Sequence, residues 1–272
     1  VTSVIIPVRA ACGPGGNLPV VSAVPQPAPR PVAADQTGPA SPAEPQPGAA
    51  SPAAPNGTTA AGPAVVDLLG LVAYGELSAF DRMAADARLA PDLDRRAVLS
   101  EMAAVEIAGY RRLATRLGEL GVAPGEAMAP FEGALRDYHD STEPKDWLEA
   151  LTKAYVGDAI ADDFFREVAG YLAEPDRRLV LDVLHDSRYD EFAMREIRAA
   201  IEADPKVANR LSMYARRLVG EVLSQATRTA AERPALAALV MSGAGDPSAV
   251  QELFGRLTAA HTRRMSAVGL NN

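Results

Sequence analysis

From Pro63 to the C-terminus the apolar residues recur at three- and four-residue spacing, and no segment alternates with period two over a useful length. That periodicity leaves helices as the building blocks and predicts an all-α fold. A first helix fits residues 65–89 and is ended by Pro91; a second runs from an Asp92/Asp94 start to Leu120, with Gly121 as its stop. Residues 121–130 read as a loop, followed by a short helix around Phe131–His139. Ser141-Thr142-Glu143-Pro144 opens a third long helix reaching about residue 173, and Pro175 starts a fourth that ends near Asp204-Pro205. A fifth covers about 206–232, and two shorter segments, near 235–242 and 247–267, close the chain. Four consecutive long helices with short connections predict an antiparallel bundle, with the later helices packed outside it.

Acids interrupt each stripe near its middle. Helix one reads Val65, Leu69, Val72, Glu76, Phe80, Met83, and helix two reads Leu99, Met102, Glu106, Gly109, Leu113, Leu117. Helix three reads Leu148, Leu151, Tyr155, Asp158, Asp162, Phe165, Ala169, Leu172, and helix four Leu179, Asp182, Asp186, Tyr189, Ala193, Ile197. Packing these stripes together brings carboxylates from four helices into the core. An ionised carboxylate buried without a partner costs several kcal/mol. The stripes contribute no Lys or Arg near the acids, so the cluster must be neutralised by protonation, by bound cations, or by bases on neighbouring faces such as Arg112 or Arg188. A two-metal centre is the recurrent solution in four-helix bundles.

Residues 1–63 are of another kind. Pro, Ala and Gly fill 35 of these 63 positions and no aromatic residue occurs, too little apolar bulk to offset the entropy of ordering. The expected organisation is therefore a disordered tail (1–63), a helical bundle (64–232) and a C-terminal helical extension (233–272). The tail is neutral, so the formal net charge of −8 sits on the folded part and opposes binding to phosphate backbones. The single cysteine, Cys12, lies in the tail, which excludes a disulfide framework and thiolate metal sites. The aliphatic run Val4–Ile6 is too short for a signal peptide, and no stretch has the apolar length of a membrane span. These readings predict a cytoplasmic protein without membrane contact. Of the histidines, His139 and His261 are expected on the surface, and Trp147 as a core anchor. No Gly-rich phosphate loop, nucleophile elbow or HExxH is present.

Three strings carry a family resemblance: Glu106-Ile-Ala-Gly109-Tyr110, Asp186-Ser-Arg-Tyr189, and Ala154-Tyr-Val-Gly-Asp158 continuing to Asp162-Asp-Phe164. Over about residues 65–230 the chain resembles the ferritin-like di-iron carboxylate proteins, and within them the tRNA isopentenyladenosine hydroxylase (MiaE-like) group. The resemblance implies a ferritin-like antiparallel four-helix bundle and oxygen-dependent hydroxylation at a di-iron centre. It implies metal ligands at Glu76, Glu106, Asp158 or Asp162, and Asp186. The family's two Glu-x-x-His histidines are here Gly109 and Tyr189, and the fourth-helix acid is Asp. Carboxylates without imidazole suit Mg or Mn better than iron. The alternative expectation is therefore a degenerate, non-catalytic bundle with a binding or structural role. His185, three residues after Asp182, keeps a different ligand set open. A tRNA partner follows from the resemblance alone and is disfavoured by the net charge.

Overall fold

The computed structural model describes residues 62–184, 187–245 and 247–271, leaving out the side chains of Ser187, Arg188 and Pro247. The expectations for the tail, for Asp186 as a metal ligand, for His185, and for Arg188 as a neutralising base lie outside what is described. Among the described residues every regular element is helical.

Helix α1 (Pro63–Asp86) starts on a proline, whose missing N–H costs nothing in a first turn. A short 3-10 turn follows at Ala87–Leu89. The Asp92 side chain then accepts from the Arg95 N–H at 2.9 Å and caps α2 (Leu93–Glu119). Gly121 ends this helix at φ 77°, while Val122 N–H donates to the Leu117 carbonyl and Gly121 N–H to the Gly118 carbonyl, a Schellman closure.

Of the loop expected at 121–130, only 121–123 is non-helical; residues 124–130 form the first part of α3 (Pro124–Ser141), which has Pro124 in its first turn and contains Pro130. Burial decides this: Ala127 and fully buried Phe131 sit one turn apart against the core, which outweighs the hydrogen bond lost at Pro130. The third long helix opens at Trp147 and not at 141–144. Its cap is Asp146, whose carboxylate accepts from Glu149 N–H at 3.0 Å.

That helix is not uniform. It passes from α4 (Trp147–Thr152) through a π-helical turn (Lys153–Asp158) into α5 (Ala159–Ala169). A π turn inserts a residue into the α-helical register and is frequent at functional sites.

The fourth long helix is divided. After α6 (Asp176–Val183) the backbone extends at Leu184 (φ −65°, ψ 151°), and α7 covers Ser187–Ala203. The break resets the phase: Val180 and Val183 face inward on one side of it, and Tyr189, Ala193 and Ile197 on the other. Asp182 is thereby moved off the expected inward stripe to the surface. There Arg112, another base expected near the core acids, donates to it at 3.0 Å.

Helices α8 (Lys206–Glu232), α9 (Pro234–Ala244) and α10 (Pro247–Ala267) complete the chain. Helix α9 packs on α1. Helix α10 is tied to α5 by Arg256–Glu167, two bonds of 2.8 Å, and by Arg264–Asp163 at 2.9 Å. Asp67, buried on α1, is gripped by Nε and Nη2 on one guanidinium edge of Arg233, which joins α8 to α9 and lies over the Phe131 ring.

The segment Pro63–Leu89 has the length and mean hydropathy (1.4) of a membrane span, a correction to the expectation that no stretch does. In this fold that segment packs against α2, α3 and α9, and it buries Asp67 and Glu76 along with its leucines, as a core helix does.

Candidate functional site: a polar belt across the bundle

The core comes in two apolar clusters with charge between them. One gathers Leu68–Ala73, Leu113, Leu117, Phe131, Phe165, Val168 and Leu172. The other gathers Met83, Leu99, Ala103, Trp147, Leu151, Tyr155, Val156, Ile197 and Leu211. On α1, α2 and the third long helix the switch from one cluster to the other falls at the acids. Glu76 and Glu106 are each 5% exposed, Asp162 is 8% exposed and Asp158 is half-buried. Each of the four takes part in a polar or electrostatic interaction. Between Asp158 and Asp162, the pair the sequence leaves open, Asp162 is the deeper.

Gly109 explains how Glu76 fits. Its missing side chain is replaced by the Glu76 carboxylate, so that a Cβ built on Gly109 would overlap that group. The space a side chain from α2 would use, one turn beyond Glu106, is taken by an acid from α1. Tyr189, on α7, is buried near Asp158, Asp86 and Glu106. Burial first, and then those three charges, push its phenol well above the usual tyrosine range.

Beside the belt lies a cavity of about 20 Å³, lined by Arg82, Met83, Asp86, Leu99, His139, Lys153, Asp158 and Tyr189. That is room for about one water molecule. Lys153 is only 4% exposed. Its Nζ lies 3.5 Å from the His139 carbonyl oxygen and 5.2 Å from the Tyr138 ring centre. Burial lowers its pKa to about 8, against the opposing pull of Asp158 and Asp86. Burial likewise raises Asp86 to about 6 and, with Lys153 and Arg82 adding to it, lowers His139 to about 3. His139 and His261 are both buried, at 8% and 7% exposed, which overturns the surface positions expected for them.

Sequence reasoning missed Lys153 because an amphipathic pattern assumes that each helix keeps one wet side. Residues 149–153 are buried all round, polar Glu149, Thr152 and Lys153 included, so period-3.6 phasing says nothing about them. No signal in the sequence marked the π turn.

Lys153 makes stability depend on pH in a stated direction. Its folded pKa of about 8 lies below the ordinary 10.5, so between these values the unfolded chain binds more protons. Stability therefore rises with pH in that window. Denaturant unfolding at pH 8 and pH 9.5, below the ionisation of unfolded tyrosines, should show this gain in the parent protein and its loss in Lys153→Met.

The described residues do not fit a two-iron centre. The two positions where imidazoles are expected hold Gly109, with Glu76 seated on it, and a phenol held protonated. Among the described residues no three His, Cys, Asp or Glu side chains are arranged to hold a metal ion. The buried ammonium of Lys153 beside Asp158 is a neutralising charge supplied by the chain itself.

The sequence profile of the actinomycete ferritin-like domain matches residues 61–243. The chain belongs to that family. Its fold is similar to that of a Synechococcus protein with aldehyde deformylating oxidase activity. The match has a TM-score of 0.58 and 18% identity, and it covers 76% of this chain and 90% of that one. A search of curated protein sequences returns no match. At this identity the likeness establishes the ferritin-like helical fold and leaves the chemistry to the residues described above.

Proposed function

We propose that this member of the ferritin-like family is a metal-independent bundle with a binding role, its belt neutralised from within the chain and not by a pair of iron ions. The observation that carries this reading is the Glu76 carboxylate seated on Gly109, where a family ligand would project. Lys153 supports it, since a fixed cation among acids competes with a divalent ion for the same charge. Protein purified from iron-replete medium should contain far less than the about two metal ions per chain of a di-iron carboxylate bundle. A strong chelator should leave the melting temperature unchanged, because removing a ligand lowers stability only if the folded state held it.

A second reading, a MiaE-like oxygen-dependent hydroxylase, is favoured by one observation: three successive long helices each place a buried acid in the belt. Near-stoichiometric iron, together with a chelator-induced fall in melting temperature that Glu106→Ala abolishes, would establish this reading and sink the first. In either case the net charge of −8 weighs against a tRNA substrate.

A further inference from the structure

The cavity beside the belt brings together a buried amine, a carboxyl group and space for one small molecule. We propose that Lys153 is a capture site for a one-carbon aldehyde, which it holds as a protonated imine. This goes beyond the reading of the belt and does not depend on its metal content.

Three observations carry it. First, Lys153 is the buried lysine of a chain whose 27 basic residues include only three lysines; Lys145 and Lys206 are exposed. Second, the amine shares its cavity of about 20 Å³ with Asp86, a size that favours the smallest carbonyl compound. Arg82 and Asp86, both half-buried, line the cavity from the α1 side, with Arg82 3.7 Å from Asp140. Third, His139 Nδ1, buried in the same cavity wall, has no hydrogen-bond partner among the described residues. It is a polar atom available to the hydroxyl of the first adduct before that hydroxyl leaves as water.

Charge selects the ligand class. Asp86 on α1 and Asp158 on the π turn face the amine, and Glu143 adds a further negative charge; Arg82, Tyr138, His139 and Tyr189 also surround it. An ammonium that becomes an iminium keeps its positive charge among these acids. Reaction with carbon dioxide would instead put a carbamate anion beside two carboxylates. Asp86 takes a proton from the ammonium, the freed lone pair on Nζ bonds to the carbonyl carbon as the C–O π bond opens, and a second proton passes from nitrogen to the new alkoxide oxygen. The resulting hydroxyl leaves as water with a returned proton while C=N forms. Ammonium and formaldehyde give iminium and water, with no oxidant or reductant.

Burial supplies the reactive form. Removal of Lys153 from water favours its neutral, nucleophilic form over that of the two exposed lysines.

The test treats the full chain at pH 7.5 with formaldehyde for increasing times, removes the excess, unfolds the chain in denaturant with cyanoborohydride, which then reaches every imine, and maps methylated lysines by mass spectrometry. Lys153 is expected to be modified at least tenfold faster than Lys145 and Lys206. Pyridoxal phosphate, too large for the cavity, should mark only the two exposed lysines. Asp86→Asn, checked for folding by its melting curve, should slow Lys153 several-fold and leave the other two unchanged. Lys153 reacting no faster than the exposed lysines, equal access for pyridoxal phosphate, or an Asp86→Asn rate equal to the parent's would overturn the proposal. Because the readout is the amine itself, these outcomes are separate from those of the iron measurements.

Discussion

Gly109→His, the substitution that would put an imidazole one turn beyond Glu106, is expected to destabilise the protein by about 3 kcal/mol or more, as overpacking of a filled core does. For a bundle of this size that is a fall in melting temperature of roughly 6–12 °C. The cause is local: the first atom of the new side chain falls on the Glu76 carboxylate, and Val183 lies 3.5 Å away on the other side. Glu76, only 5% exposed, must leave its seat. Gly109→Ala meets the same overlap but regains up to about 1 kcal/mol of helix propensity, so it should cost less. Adding Glu76→Ala to Gly109→His should recover part of the loss, since the two sites share one volume. If histidine alone left the melting temperature unchanged, or raised it when iron was added, the belt would be a vacant metal seat and the proposed metal-independent role would fail.

Arg233→Ala should also be damaging, at about 1–3 kcal/mol, the cost of leaving a buried acceptor without its partner where the departing arginine is itself a third exposed. Asp67 is 4% exposed, and both of its oxygens accept from Arg233, one of these bonds at 3.1 Å from Nε. Without the guanidinium the carboxylate is stranded in the wall between α1 and the α8–α9 junction. The Phe131 ring also loses the cation lying 5.9 Å from its centre. Chemical denaturation should separate charge from packing. Arg233→Ala with Asp67→Asn is expected to be more stable than Arg233→Ala alone, because an amide is cheaper to bury than an unpaired anion. Equal stability of the two would mean that Asp67 gains its stability from another source.

The helices and their inward acids were legible in the sequence because both are local. Leu69, Val72, Glu76 and Met83, or Leu99, Glu106, Gly109 and Leu113, lie on single helices whose phase is set by spacing alone, and all are buried. Three features were not legible, each for a physical reason. Helix α3 runs across Pro130 because tertiary burial of Phe131 overrides a local breaker. The break at Leu184 sits in a segment whose apolar pattern reads continuously through it, so Asp182 seemed to share a face with Tyr189. Lys153, the residue with the most to say about chemistry, lies where the helix is buried on every side, and there amphipathic patterning carries no information.

The belt also bears on how the molecule comes apart. Apolar cohesion is strong within each cluster and interrupted between them, so much of what couples the two halves is the continuity of helices that thread both. Leu68–Ala73 and Met83 lie on the same helix yet belong to different cooperative neighbourhoods. Local opening in folded proteins follows such neighbourhoods. Amide protection is therefore set by which side of the acids a residue occupies, more than by which helix it belongs to. One end of the bundle can loosen while the other remains closed, and the layer between them, where charge and the small cavity sit, is the boundary at which that loosening stops.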